Sequence, residues 1–476
     1  MNSIKQKTIS GLIWNFIEKF SVRLVQFVFS IVLARLLTPD DFGLIAIIMF
    51  FLNVSQIFIE SGFSRALIQK IDRTEVDYST VFVFNLSISV AFYLILFFTS
   101  PFIALFYDEQ QLVNLIRVLS LTLVINSLTL VQNVKLQINV DFKKIAKINL
   151  ISVLSSGAVG IVCAYYGYGV WALVVQSLAF SLICFCLYPL FVSWKFSLKF
   201  SKESLAQMWR FSSNLLLAGS LAVVTNNIYN LLIGKIFTVK DLGFYHRASS
   251  LTIVASDSVT QSIQQVTFPV LSQMQNDENT MISSYKKMMK MSAFIIFPVM
   301  ALLSVLADPI VKVLLTDEWL PVVPLLQCFA FTRFFYPMDA LNLNILNANG
   351  RSDLFLKVDV YKLPITIISL IITLPMGIME VIIGQLIAGV LYSIVNAYMP
   401  GRLYGYGFLK QLRDFTPYLC ATIALYFSAY FALQISELPL LQLVIGGVAG
   451  GVTYLLACFL MKVSALKDIV KVIRDL

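Results

Sequence analysis

A chain of 476 residues that is 58% hydrophobic and only 13% charged lies far outside the composition of a soluble globular domain, and it reads as an integral membrane protein. The net charge of +9 therefore has to be read against a membrane before it is read as an affinity for nucleic acid, which it does not indicate here.

Apolar stretches long enough to cross a bilayer as helices recur about fourteen times. They cover residues 11–37, 42–68, 80–105, 112–136, 145–166, 170–192, 205–237, 248–274, 288–315, 321–346, 355–374, 379–399, 415–433 and 440–461. The first is interrupted by Glu18, Lys19 and Arg23 and has no small-residue cleavage site, so it is expected to stay in the protein. Lysines and arginines test the count. With Lys5 and Lys7 inside, the even connections hold Lys70 and Arg73, then Lys143, Lys144 and Lys147, then Lys195, Lys199 and Lys202. The later ones hold Lys286, Lys287 and Lys290, then Arg351 and Lys357, then Lys410 and Arg413. Of 35 basic residues, about 26 fall inside, about five outside and about four in the membrane, which predicts both termini in the cytoplasm.

Between the first and second spans stands LARLLTPDDFG, Leu33 to Gly43, and it returns as IGKIFTVKDLG, Ile233 to Gly243. The echo keeps Arg35 against Lys235, Thr38 against Thr238, Asp41 against Asp241 and Gly43 against Gly243. A threonine three residues before an aspartate can cap a new helix while the carboxylate bonds back, and Pro39 suits the first helical position. The capping reading is preferred to a substrate role. The repeat opens two halves an even number of crossings apart, so the halves share one orientation, as in parallel transporter repeats. The expected plan is all-α: an N-terminal lobe of six helices over residues 1–200, a C-terminal lobe of six over 201–402, and two additional helices over 403–476. GGVAGG, Gly446 to Gly451, would let another helix approach the last span closely.

Loops are short and no GxxxxGK[ST] sequence occurs, which excludes a P-loop pump. The six cysteines, Cys163, Cys184, Cys186, Cys328, Cys420 and Cys458, lie in apolar spans without a CxxC or a histidine beside them, so metal and disulfide roles are not expected. The lone His246 sits near an expected outer interface and is read as interfacial rather than as a proton relay.

Polar residues inside the spans are the candidates for function, because charge at bilayer depth is presumed to line a cavity or to be paired. In the first span Asn15, Lys19, Arg23, Gln26 and Ser30 recur every three or four residues on one face. The competing readings are an internal ion pair of Glu18 and snorkelling of Lys19. The seventh span carries Asn226, Asn227 and Asn230; the eighth carries Asp257, Gln261, Gln264 and Gln265; the tenth carries Arg333, Tyr336, Asn344 and Asn347 around Pro337. The substrate-binding set expected from this reading is Lys19, Arg23, Gln26, Asn226, Asn230, Asp257, Gln261, Arg333 and Asn344. Each amide can equally serve as glue between helices. A basic cavity rich in neutral hydrogen-bonders suits an anionic amphiphile bearing phosphate or diphosphate.

Several segments carry a resemblance: TISGLIW at Thr8, LARLLTPDDFGL at Leu33, ESGFSRALIQ at Glu60, DFKKIA at Asp141, LGFYHRA at Leu242, TFPVLSQMQND at Thr267, EWLPVVPLLQ at Glu318 and NANGR at Asn347. In this order they make the chain resemble the polysaccharide and O-antigen flippases of the multidrug/oligosaccharidyl-lipid/polysaccharide exporter superfamily, the colanic-acid-exporter-like branch. The resemblance implies a pair of six-helix lobes that moves a polyprenyl-diphosphate-linked oligosaccharide across the bacterial cytoplasmic membrane by alternating access, without enzymatic chemistry or a cofactor. It implies as partners the lipid-linked substrate, membrane lipids and other polysaccharide-assembly membrane proteins, with no nucleic acid, and it fits the stripe of Lys19 and Arg23 to the diphosphate. The alternatives are a multidrug or cation antiporter of the same superfamily, built around intramembrane carboxylates such as Glu18, Glu60, Asp257 or Asp339, and a membrane glycosyltransferase or polymerase using Asp40 and Asp41.

Overall fold

The computed structural model describes residues 2–60, 62–70, 72–194, 196–197, 199–274, 277–349 and 351–467. Side chains are described throughout these except at 2–13, 15–19, 210, 211, 214, 215, 217, 218, 221, 222, 224–226, 262, 265, 266, 268–270, 272, 273, 352, 353, 355 and 356. All regular structure among the described residues is helical. In chain order come α1 (Asn2–Leu36), α2 (Pro39–Glu60), α3 (Phe63–Gln69), α4 (Glu75–Tyr107), α5 (Leu112–Leu119), α6 (Leu121–Ile138), α7 (Phe142–Tyr165), α8 (Trp171–Phe191) and α9 (Lys202–Ile236). They are followed by α10 (Val239–Gln273), α11 (Glu278–Val305), α12 (Ala307–Leu314), α13 (Val322–Thr332), α14 (Tyr336–Ala348), α15 (Ser352–Thr373), α16 (Ile378–Tyr404), α17 (Phe408–Leu433) and α18 (Pro439–Leu460).

Among the described residues, nine helical segments are long and apolar enough to cross a membrane. The chain is a multi-pass membrane protein. Where a single crossing was expected over 321–346, the chain makes α13 and α14, of 11 and 13 residues, with a break at Arg333–Phe335 and Pro337 in the first turn of α14. Proline belongs there because its missing amide hydrogen is one the helix start cannot use.

Short polar residues start several of the helices. Asp141 accepts from the Lys144 amide, Ser201 from the Ser204 amide and Asp277 from the Thr280 amide, each satisfying a donor that has no partner inside its own helix. In both copies of the repeated turn the aspartate carboxylate bonds back to the threonine, and in the second the Thr238 hydroxyl also caps the helix by accepting from the Asp241 amide at 3.1 Å. Thr38 donates its amide and hydroxyl to Asp41, each at 2.9 Å, and Thr238 does the same to Asp241 at 3.3 and 2.7 Å.

The chain separates into two compact units, residues 1–243 and 244–476. In the first, Phe63, Leu67, Val81, Phe82, Val131 and Trp194 form an apolar core. Helix α9, which opens the second half of the repeat, packs there against α2, α3 and α4; the repeat and the packing thus divide the chain at different points. The second unit is built on Tyr285, Ile296, Phe297, Leu341, Phe415 and Tyr418, and Tyr454 and Cys458 of α18 belong to the same core. Helices α17 and α18 are therefore part of this core. A Cβ on Gly446 would press on Leu306 and one on Gly450 on Leu302, while Gly447 and Gly451 meet nothing; half of the glycine stripe serves close packing, as its composition implies.

Candidate substrate-binding surfaces

Helix α1 presents three different faces. Phe29 packs where Gly157 of α7 leaves room, since a Cβ there would run into its ring, and Trp14 lies 5.3 Å from the Lys143 ammonium, also on α7. Phe20, Leu24 and Val28 form a second, exposed apolar row at four-residue spacing. Arg23 and Gln26 are exposed as well. At about 100° per residue their mean direction falls roughly 120° from the face that meets α7 and roughly 130° from the apolar row. The helix thus keeps its polar side chains away from both its helical neighbour and the surface suited to lipid tails. The Lys19 side chain lies outside the described residues.

Helix α9 contributes less than its composition suggests. Asn226 lies outside the described side chains, Asn227 donates to the Val223 carbonyl of its own helix at 2.9 Å, and Asn230 is half-buried.

In the second unit, Asp257 and Gln261 are half-buried one turn apart on α10. Arg333 closes α13 and its guanidinium lies 5.0 Å from the Tyr336 ring centroid, a cation–π distance. Asn344 of α14 is half-buried, and its amide nitrogen has no hydrogen-bond partner among the described residues. Near it on α14, Asp339 accepts a hydrogen bond from Ser393 of α16 at 3.1 Å, and Gln385 of α16 donates to the Tyr245 hydroxyl at 2.5 Å.

Sequence reasoning missed a buried polar network deeper in this unit. Tyr285 of α11 donates to Asn342 of α14, whose amide exchanges hydrogen bonds of 3.2 and 2.8 Å with Gln411 of α17; all three side chains are buried. Next to it Tyr406 donates to Asp414 at 2.9 Å, and Asp414 pairs with Lys290 at 3.3 Å. Asn342 stands among Asp339, Asn344 and Asn347 on α14 and Gln411 beside Lys410, Arg413 and Asp414 on α17, so nothing in the spacing singled them out.

The described helices, long and apolar with a break between α13 and α14, make up a multi-pass membrane fold. The fold matches that of the lipid II flippase MurJ in an inward closed conformation, with a TM-score of 0.79 and 15% identity over 96% of this chain and all of the other. It also matches an inward-facing multidrug-resistance MATE transporter of the MOP superfamily, with a TM-score of 0.63 and 15% identity over 82% of this chain and 99% of the other. Residues 32–324 match the family described as polysaccharide biosynthesis protein, and the chain belongs to it. Among its relatives, the teichuronic acid biosynthesis protein TuaB of Bacillus subtilis is 26% identical over 74% of each chain. The lipopolysaccharide biosynthesis protein WzxC of Escherichia coli is 23% identical over 83% of this chain and 81% of its own.

Proposed function

We propose that this protein is a flippase that carries a polyprenyl-diphosphate-linked oligosaccharide, a polysaccharide or lipopolysaccharide precursor, across the cytoplasmic membrane by alternating access. The observation that carries the reading is the exposed pair Arg23 and Gln26 on a helix with separate faces for α7 and for lipid. A charge at the centre of a bilayer costs about 2.5–3.5 kcal/mol even by insertion scales, so this face belongs to a water-filled path. Guanidinium and ammonium groups there suit a diphosphate, and the amides and hydroxyls of the other helices suit a glycan. The relatives named for teichuronic acid, lipopolysaccharide and succinoglycan biosynthesis support this substrate class. The set Lys19, Arg23, Gln26, Asn226, Asn230, Asp257, Gln261, Arg333 and Asn344 is assigned to the path, with lobes over 1–200 and 201–402, additional helices over 403–476, about fourteen crossings and both termini in the cytoplasm.

A cation antiporter is the second reading, favoured by one observation, the carboxylate Asp339 held by Ser393. The glycosyltransferase reading is weakened by Asp41, whose carboxylate is engaged by Thr38 in a cap.

The purified protein in vesicles, with a polyprenyl-diphosphate oligosaccharide loaded on one leaflet, decides between these readings by lectin or glycosidase access from the other side. Accelerated crossing is expected, and Lys19→Gln combined with Arg23→Gln should abolish it while the protein stays folded in the membrane. Crossing undiminished in the double variant removes the basic stripe from the mechanism; no crossing of several such lipids moves the antiporter to the front.

A further inference from the structure

The turn between α16 and α17 is short and tightly folded. Only Gly405, Tyr406 and Gly407 separate the two helices. A Cβ on Gly401 would lie 2.7 Å from the Gly407 Cα, so the chain doubles back at a separation that a side chain would prevent, and Gly405 takes a left-handed φ of 64°. Tyr406 is buried in the core of the second unit. The Lys410 ammonium closes the turn by donating to the Gly405 carbonyl at 2.8 Å.

On either side of this turn each helix carries one exposed row. On α17, Leu409, Arg413, Thr416, Cys420, Ile423 and Phe427 are all exposed and fall on one face. On α16 the same holds for Ile387, Leu391, Ile394, Tyr398 and Arg402. Exposed apolar rows of this kind on a multi-pass membrane protein are the surfaces that meet lipid tails. Both rows turn basic at the same end, the one that the charge bias of the loops assigns to the cytoplasm. Tyr398 stands one turn before Arg402, where an aromatic ring sits at headgroup level. At its other end the α17 row runs out through Phe431 without a cation.

Among the described residues no carboxylate pairs with either arginine. The acid next to Arg413, Asp414, is engaged by Lys290 at 3.3 Å and by the Tyr406 hydroxyl at 2.9 Å. Two guanidinium groups that end lipid-facing rows on neighbouring helices call for an anion that is itself anchored in hydrocarbon. A guanidinium meets phosphate as a two-pronged donor, and Lys410 between the two adds a third positive charge to the turn. Leu409, beyond Arg413 in its row, is 79% exposed to solvent and is an apolar contact that the upper acyl carbons of a lipid would cover.

We propose that the α16–α17 turn, through Arg402 and Arg413, binds the phosphate headgroup of an anionic phospholipid of the cytoplasmic leaflet, whose acyl chains lie along the two exposed rows. The proposal needs the membrane fold and the orientation set by the charge bias; it does not depend on what the protein carries. Helix α17 enters the second core through Phe415 and Tyr418. A lipid held at its start therefore stabilises the native protein in proportion to its occupancy.

The test titrates the full-length protein in neutral detergent with phosphatidylglycerol, or with zwitterionic phosphatidylcholine as the control, and follows thermal unfolding and the lipids retained in native mass spectrometry. Phosphatidylglycerol should raise Tm and stay bound where phosphatidylcholine does neither; equal stabilisation by the two overturns the proposal. Arg402→Gln combined with Arg413→Gln should weaken the apparent affinity for phosphatidylglycerol at least tenfold. Lys147→Gln combined with Lys202→Gln, which removes two exposed charges from the cytoplasmic connections of the first unit, should leave it in place. Equal weakening by both pairs makes the attraction a property of the whole basic face and overturns the site. Should the arginine variant fail to fold, salt decides on the native chain: at about 1 M, where charges are screened within about 3 Å, the preference for phosphatidylglycerol should fall at least tenfold, and a preference unchanged by salt overturns the proposal. A polyprenyl diphosphate that stabilises through the two arginines where phosphatidylglycerol does not would give the turn to the substrate and likewise overturn it.

Discussion

In the first copy of the repeated turn, Thr38 gives its amide and hydroxyl to Asp41; in the second, Thr238 gives both to Asp241 and also accepts from the Asp241 amide at 3.1 Å. The starts are alike and the helices that follow are not. After Asp41 the chain buries Phe42, Leu44, Ala46, Ile47, Ile48, Leu52 and Ile59. After Asp241 it buries Leu242, Phe244, Tyr245, Ala248 and Leu251 as well, but with them Arg247, Thr252, Ser256 and Thr260, and it leaves Asp257 and Gln261 half-buried. A cap is decided by residues three apart and is blind to what its helix later packs against. The duplicated word therefore marks a common origin of the helix starts, while the difference that follows, a helix that stays apolar against one that turns polar beyond its first turns, is written in the residues beyond it.

A third turn with the same spacing sharpens the contrast. Thr74 and Asp77 form a complete capping box at the start of α4, but Asp77 is only 2% exposed and also serves Lys70 and Ser204. Tertiary partners should multiply the value of an identical local motif. Asp77→Ala is expected to have the largest effect, about 3 kcal/mol of lost stability, because it strands a lysine and two hydroxyls; thermal unfolding in detergent checks it, and a loss no greater than at Asp41 would erase the distinction between buried and exposed caps. Asn342→Leu comes next at about 2 kcal/mol, since Gln411 and Tyr285 would be left buried without their partner. Folded yield of Asn342→Leu equal to wild type would reduce that network to incidental contacts. Asp41→Asn and Asp241→Asn should each cost about 1 kcal/mol and lower the amount of folded protein, with transport per folded molecule preserved. Normal levels with lost transport at either position would give that copy a substrate role and end the equivalence of the two.

The smallest effect is expected at Asp277, an exposed cap of α11. Hydrogen bonds from the Thr280 side chain and amide hold its carboxyl below the usual range. Its contribution is therefore present above the ordinary carboxylate range and is lost as pH falls through the lowered value. The difference in thermal stability between wild type and Asp277→Ala should shrink on acidification, and a difference that grows would mean the group is held neutral instead.

Caps, the broken tenth span and the glycine stripe were legible because each depends on residues a few positions apart, whereas the breaks at Ser120 and Leu306 fall inside stretches that read as continuous. Thr38 and Asp41, Pro337 after Arg333, and Gly446 with Gly450 could all be read without a fold. The polar face of α1 was legible for the same reason, since periodicity alone sets Arg23 and Gln26 on one side. The Tyr285, Asn342 and Gln411 network was not, because its members are 57 and 69 residues apart and an amide in an apolar helix looks the same whether it meets substrate, lipid or another amide. Asn227, one of several polar residues noted on the seventh span, turned back to its own helix.

By itself the sequence determined that the chain is a membrane protein, that it is helical, and that two of its helix starts are copies. These follow from composition and from interactions within one or two helical turns. Only the tertiary structure decided that α9 is fastened to α2, α3 and α4 and that α17 and α18 belong to the second core. Only it showed that the two duplicated glycines face each other's backbone. Those outcomes depend on which surfaces come within a few ångströms across long stretches of chain, and spacing along a single helix carries no information about the partner on the other side.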